Sequence, residues 1–326
     1  MAFGNFLSDS AHAVGFRVSR NVNSSPRSSR SFTSSVVILV ASIATSVSNA
    51  SETRARAVTS LRLINFLTES CVVFVANHRI LGSHMELGRI SAIFRYPVKS
   101  MAGELLDRAK LGWHGIEGDR RLAFRRLTDK SGFPWLTASK LPELVLYKPF
   151  VLDSSSVELL PTHVRTPAGK EYELRSAELR DEISGRCGSD VELMNFKHGI
   201  FDEASISVIG LGTVRCIERE SGRNLDLRRF RPNVVIETNN GEPFEEDKWV
   251  GRTLLFGEGN NLAAARVTMK DERCVMINLD PDTAERDSEV MKTVVRLNEN
   301  CAGVYGTVVR AGELRVGQVV TLGEGE

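Results

Sequence analysis

Five short polar stretches, widely separated in the chain, carry residue types that could do chemistry together. Pro97-Val98-Lys99-Ser100 and Gly118-Asp119-Arg120-Arg121 place a lysine, a hydroxyl and two arginines in turns rather than along strands. Phe230-Arg231-Pro232-Asn233 adds a guanidinium and an amide, and His198 to Ser205 (HGIFDEAS) adds Asp202. The fifth, Asp271 to Thr283 (DERCVMINLDPDT), sets Cys274 behind an acid pair and an arginine and ends in an Asp-Pro-Asp-Thr turn. Each stretch alone has an ordinary reading: a turn lysine is solvated, Arg120 pairs with a neighbouring acid, and Asn233 bonds the local backbone. Together they offer charged and polar donors suited to a phosphate and one soft ligand suited to a metal. Cys274 itself has two readings. It is either a small buried hydrophobe in an apolar strand with Val275, Met276, Ile277 and Leu279, or a thiolate held at a strand end to bind something.

The elements that must position these residues follow from the pattern after Met85. In GRISAIFRYPVKS, Ile90, Ala92 and Phe94 alternate onto one face, which predicts a strand ended by Pro97, with Val98-Lys99-Ser100 in a turn. A short strand fits Arg120 to Leu127 after turns at Gly115 and Gly118, and HVRTPAGKEYELRS reads as a hairpin connected by Pro167-Ala168-Gly169. A helix is expected from Ala177 to Ser184, stopping at Gly185. The second half begins near Gly199, and Leu211, Val214 and Ile217 lie on one helical face that ends at Gly222. Strands are expected at Asn233–Glu237, Thr253–Phe256 and Leu262–Thr268, and the clearest helix from Ser288 to Leu297, with Val290, Val294 and Leu297 in one stripe. The tail reads as short alternating strands separated by glycines. Many short strands and few helices predict a mainly β protein with minor α, built from barrels or strongly bent sheets, and no internal repeat is visible.

Composition sets bounds on what such a chain does. Its 326 residues suffice for two domains. The net charge of +1 hides an uneven distribution. The first 85 residues have no lysine, eight arginines, three acids and seventeen serines, and the remainder has 34 basic and 38 acidic residues, a net of −4. No concentrated basic surface for nucleic acid is indicated. Cys71, Cys187, Cys216, Cys274 and Cys301 are odd in number and widely spaced, without a CxxC or Cys/His cluster, which speaks against a disulfide framework or a zinc site and for a reducing compartment.

The N-terminal segment 1–85 has three readings: a transit peptide, being Arg- and Ser-rich and acid-poor; a secretory signal around Val36 to Val47, a run too short to span a bilayer; or an incorrect gene start, with translation beginning at Met85. The location follows, mitochondrial for a genuine transit peptide and cytoplasmic for a start at Met85.

The spaced set YPVKS, GDRR, RFRPNVVI, ERC…NLDPDT and the RVGQVV ending resembles the MOSC family in its two-part form. It is similar to bacterial MOSC proteins and the mitochondrial amidoxime-reducing component, from Met85 to Leu322. The resemblance implies a MOSC N-terminal β-barrel domain at 86–195 followed by a MOSC β-barrel domain at 196–322. It also implies a molybdenum–molybdopterin cofactor, with Cys274 as metal ligand and catalytic centre and with Lys99, Ser100, Arg120, Asp202, Arg231 and Asn233 gripping the pterin and its phosphate. Arg273 is then expected to orient the loop or cofactor. Where the amidoxime-reducing components have Asp-Thr-Ser-Pro, this chain has Asp202-Glu203-Ala204-Ser205, so only Asp202 carries over. Cys187, Cys216 and Cys301 match no motif and read as core or loop cysteines, and His114 and His163 as ordinary histidines.

Three functions stand open on this resemblance. The first is a reductase of N-hydroxylated compounds such as amidoximes or hydroxylamines, in which the cofactor performs the redox step. No GxGxxG fingerprint, four-cysteine iron–sulfur set or haem motif is visible, so electrons would come from a separate partner, a cytochrome b5 system or a ferredoxin or flavoprotein reductase. The second is a sulfur carrier with a persulfide on Cys274. Its link to pyridoxal phosphate is a family-level association only, through the desulfurase domain of molybdenum cofactor sulfurases, which this sequence lacks. The third is a non-catalytic cofactor-binding module.

Overall fold

Alternating strands in the second half must bury one face, and they do so by closing on themselves. The structure is a computed structural model that describes residues 85–152, 160–259 and 262–323; the N-terminal extension read above lies outside the described residues. Seven strands form a closed barrel: β1 (Met85–Arg95), β2 (Ile206–Gly210), β3 (Val234–Thr238), β4 (Thr253–Phe256), β5 (Ala263–Glu272), β6 (Cys301–Arg310) and β7 (Val319–Leu322). Around the barrel the order is β3-β2-β6-β5-β4-β7-β1, and β1 pairs back onto β3 to remove the free edges. The β2–β3 pair is parallel, so a crossover is needed; helix α2 (Leu211–Ser221) supplies it. Leu87, Ile90, Ile93, Val208, Ile236, Trp249, Phe256, Val267 and Val320 fill the interior.

Strand β1 departs from simple alternation. Its register against β3 slips between Ile90 and Ala92, a β-bulge at Ser91. Ile90 and Ile93 therefore face the barrel interior, whereas Ala92 and Phe94 pack outside it with Val214, Ile217, Val290 and Val294. The expected single face of Ile90, Ala92 and Phe94 is thus divided, because one extra residue moves every later side chain to the opposite face. Strand β1 ends at Arg95, and beyond Pro97 the chain leaves the barrel, Val98 bridging to Leu122.

The helices match their sequence signals to within a few residues. Helix α1 (Ala177–Cys187) runs past Gly185 and stops at Gly188, whose φ of 68° supplies the left-handed cap; Gly185 is tolerated inside it. Helix α2 ends at Gly222 as expected. Its N-terminus lacks a side-chain cap of its own. Instead Glu246, fully buried on a 3-10 turn (Glu245–Trp249), accepts hydrogen bonds from Gly210 N at 3.2 Å and from Thr213 Oγ1 at 2.9 Å. Helix α3 (Ser288–Asn298) is capped by Asp287 and buries Val290 and Val294 against the barrel's outer face. The tail differs from the expected run of short strands, since β6 alone is ten residues long.

The remainder of the first half forms smaller sheets around a second core of Val98, Met101, Leu122, Phe124, Leu144, Tyr147, Leu179 and Ile183. Strand Leu122–Arg126 pairs with Val191–Asn195, and Lys148–Phe150, His163–Arg165 and Glu171–Glu173 form an antiparallel set that contains the expected hairpin. Strand Gly312–Arg315 pairs with Arg108–Gly112, so the two halves share strand pairing as well as β1. Among the described residues no helix is long and apolar enough to cross a membrane.

Candidate functional site

Closure of the barrel brings together turns that are up to 175 residues apart in sequence. A cleft of about 630 Å³ is lined by Lys99, Ser100, Arg120, Asp202, Glu203, Arg229, Arg231, Asp271, Arg273, Cys274 and Tyr305, with Phe133, Met269, Met276 and Ile277 among its apolar walls. Six of the seven residues singled out from the sequence are on that list. Asn233 is not: it is 1% exposed and holds the wall from behind. Its Nδ2 donates to Phe94 O at 3.3 Å, and its Oδ1 accepts from Ser207 N at 3.1 Å.

Three of the lining residues have left-handed backbone without being glycine: Ser100 (φ 66°), Arg120 (φ 48°) and Arg231 (φ 48°). That conformation costs about 1–2 kcal/mol per residue, and such outliers gather where side chains must be aimed. Here it turns two arginines onto Tyr96. The Arg231 guanidinium lies 4.2 Å and that of Arg120 5.2 Å from its ring centroid. Tyr96 is 1% exposed, and burial drives its hydroxyl pKa above the ordinary tyrosine value despite both arginines.

The cations differ in how well they are balanced. Arg120 is paired with buried Asp119 and also donates to Arg231 O at 3.1 Å. Although burial opposes its charge, Asp119 outweighs this and raises its pKa. Lys99, almost buried, donates to Asp202 Oδ1 at 2.7 Å. Burial alone would push Asp202 up, but Lys99, with Arg120 and Arg231, holds its carboxyl below the usual range. Arg231 donates to Met101 O at 2.7 Å and forms no ion pair among the described residues. Burial, with Arg120 acting in the same direction, lowers its pKa to about 10. It is an under-compensated cation facing a cleft.

Cys274 sits where β5 has ended, in extended conformation just before a 3-10 turn (Val275–Asn278). The apolar-strand reading of this segment is thereby corrected. Arg273 N still bonds across to Asn300 O at 2.9 Å, in register with the preceding Glu272–Cys301 pair, and the 3-10 bond from Ile277 N to Cys274 O at 3.2 Å then turns the chain off the sheet. Of the four described cysteines, Cys274 is exposed, Cys216 is buried, and Cys187 and Cys301 are intermediate.

Two arginines that the motif reading left in the background clamp this loop. Arg273 donates to Ala302 O at 2.6 Å and Phe230 O at 2.8 Å and lies 2.9 Å from Asp271 Oδ2. Gly303 makes room for it, since a Cβ there would fall 2.8 Å from Arg273 Nη2. Arg229 donates to Asn278 O at 3.1 Å and Asp280 Oδ2 at 2.9 Å, while Asp280 Oδ1 accepts from the Asp282 and Thr283 amides. The Asp-Pro-Asp-Thr turn is thus tied to the strand-capping Phe230-Arg231 segment. Only the abundance of arginine in RRFRPN hinted at the role of Arg229.

A barrel closed by a strand from the first half, with a thiol and a cationic cleft at one end, defines a class of protein. The chain belongs to the MOSC family: residues 87–191 match the MOSC N-terminal beta barrel domain and residues 195–321 the MOSC domain. Among named relatives, it is 24% identical over 280 residues to the molybdenum cofactor sulfurase of Drosophila persimilis, covering 70% of this chain but 34% of that protein. It is 23% identical over 291 residues to mitochondrial amidoxime reducing component 2 of Bos taurus, covering 72% of this chain and 83% of that one. The chain therefore spans about a third of the sulfurase's length and most of the amidoxime reducing component's. Among solved structures, the YUAD protein of Bacillus subtilis aligns over 75% of this chain and 99% of its own at 14% identity, with a TM-score of 0.40.

Proposed function

We propose that this protein binds a molybdenum–molybdopterin cofactor and reduces N-hydroxylated compounds with electrons from a separate redox protein. The observation that carries the reading is the pairing, in one cleft, of the exposed Cys274 thiol with the under-compensated cation Arg231, backed by Lys99 and Arg120. The donor set suits a group that brings most of its own metal ligands: one soft protein thiolate for the metal, and guanidinium and ammonium groups for the anionic end. Cys274 would hold the metal. Lys99, Arg120 and Arg231 would hold the phosphate, with Ser100 donating beside them.

When bound, such a cofactor supplies two-electron redox chemistry at the metal. The chain's own contributions are positional. Arg273 and Arg229 fix the loop that presents Cys274, so the thiol is aimed before any ligand arrives. Asp202 occupies Lys99 in the ligand-free arrangement; an anion must compete for that ammonium. Phe133, Met269 and Met276 give the cleft apolar walls beside the thiol. The reaction written in full takes one N-hydroxy group, two electrons and two protons to one reduced nitrogen compound and one water. The amidoxime reducing component similarity, which extends over most of that relative, supports this reading.

A second reading is sulfur transfer, favoured by the same exposed thiol and by the sulfurase similarity. A persulfide on Cys274 would be loaded by a separate desulfurase and passed on to an acceptor. One experiment separates the two. Purified protein is assayed for molybdenum, pterin and cyanide-releasable sulfur, then for conversion of benzamidoxime to benzamidine with reduced viologen. Turnover that requires molybdenum, and fails with NADH alone, supports the reductase; no turnover together with cyanide-labile sulfur on Cys274 supports the carrier. Cofactor in full occupancy with neither activity leaves a binding module.

A further inference from the structure

A second, much smaller space shares Arg229 and Arg231 with the cleft. It measures about 30 Å³, room for one or two water-sized occupants. Arg228, Tyr96 and Gly103 also line it, its other walls are apolar, and no carboxylate faces it. Arg228 is balanced by Asp226 and Asp282, and Arg229 by Asp280, none of which borders the space. Arg231 has no such counter-charge among the described residues.

Two buried donors in these walls lack an acceptor. Tyr96 is 1% exposed, yet its hydroxyl has no hydrogen-bond partner among the described residues, although a buried tyrosine usually finds one. Gly103 lets the ring lie against this space, since a Cβ there would fall 2.4 Å from Tyr96 Cδ1 and Cε1. Arg229 is 8% exposed, and its Nε is also unpartnered among the described residues. Such groups call for a specific partner. Water would satisfy the two donors but not the charge of Arg231. An occupant that accepts hydrogen bonds and carries one negative charge answers all three.

We propose that this space is a halide site, taking chloride, built from the Tyr96 hydroxyl, Arg229 Nε and the Arg231 guanidinium. Its volume suits a monatomic anion, whereas a tetrahedral oxyanion such as phosphate is too large and is left to the cleft. Desolvation, which lowers the Arg231 pKa to about 10, is the cost that a bound anion relieves. Arg231 borders both spaces, so a halide and a cleft anion draw on one guanidinium, and each weakens the binding of the other by the same factor. The site does not depend on the reaction that the cleft performs.

Two measurements on the full chain, purified free of ligand, test the site. Crystals soaked in sodium bromide should show an anomalous peak within hydrogen-bond reach of Tyr96 Oη and Arg229 Nε. Urea midpoints, read as chloride replaces gluconate at constant ionic strength, should rise with chloride and give its affinity. Tyr96→Phe keeps the ring beneath the arginines and removes only an unpartnered hydroxyl. It should fold as the wild type does in gluconate and bind chloride roughly 10- to 150-fold more weakly. Arg231→Met should lose the chloride response. A water in place of the bromide peak, or a wild-type midpoint indifferent to chloride, overturns the site. So does a chloride response that survives unchanged in both variants. Inorganic phosphate should lower the apparent chloride affinity of the wild type; an unchanged affinity overturns the sharing of Arg231.

Discussion

Replacing Arg231 with methionine should remove the protein's grip on its anionic ligand while leaving the ligand-free fold nearly as stable as before. Arg231 is half-buried with its guanidinium 4.2 Å from the Tyr96 ring centroid, donates one hydrogen bond to Met101 O, and is pushed down to about 10 by desolvation and by Arg120. The lowered value means that the folded protein disfavours its charged form, so removal of the charge relieves a cost. Against that stand the loss of one hydrogen bond, about 0.5–1.5 kcal/mol, and of a cation–π contact of about 0.5–2 kcal/mol. The terms nearly cancel, so the ligand-free denaturation midpoint should change by no more than about 1 kcal/mol equivalent. Ligand binding has no such compensation. A charged hydrogen bond contributes about 1.5–3 kcal/mol, so affinity should fall roughly 10- to 150-fold. Urea denaturation of ligand-free protein reads the first quantity, and pterin fluorescence after oxidative release reads the second as occupancy through purification. Full pterin occupancy in Arg231→Met would refute the anchoring role. A loss of more than about 3 kcal/mol in the ligand-free fold would refute the argument that this arginine is kept for binding rather than for stability.

Three further expectations rest on other parts of the site. Cys274→Ser should abolish reductase turnover with little change in the melting temperature, because the side chain is exposed and the hydroxyl is a harder ligand; Cys301→Ser, assayed beside it, should retain activity, and the reverse pattern would sink the assignment. Arg273→Met should destabilise by about 3–5 kcal/mol in urea melts, since it strands the buried Asp271 carboxylate; the double variant with Asp271→Asn should recover part of that loss, and an additive double variant would contradict the pairing. Burial pushes the Glu246 carboxyl up against the hydrogen bonds it accepts, including those from Thr213 and Gly210. The folded protein then keeps this proton to higher pH than the unfolded chain, so the wild type loses stability as pH rises from the ordinary glutamate range through the folded value. Glu246→Gln lacks that slope, and its penalty should shrink between pH 4 and pH 8; a constant penalty would show that Glu246 titrates normally.

Local chemistry made a large part of this protein legible in the sequence. Glycine and proline mark the turns that carry Lys99, Arg120 and Arg231, the 3.6-residue stripes of α2 and α3 mark their buried faces, and Thr253–Phe256 is a strand with the bounds its pattern predicts. These signals act over a few residues and survive any tertiary arrangement. What depends on register did not survive. A single bulge at Ser91 sends Ile90 into the barrel and Ala92 and Phe94 outside it, and no feature of GRISAIF distinguishes that from an unbroken strand. Glu246 caps a helix that begins thirty-five residues before it, and Asn233 braces the cleft from behind, because partners for buried polar groups come from whichever element the fold brings near. Motif spacing suggested that Cys274 and the cations belong together. Only closure of β1 onto β3 decided that they share one cleft, that the thiol is exposed at its edge, and that Asp271 and Tyr305, on neighbouring strands, border it too.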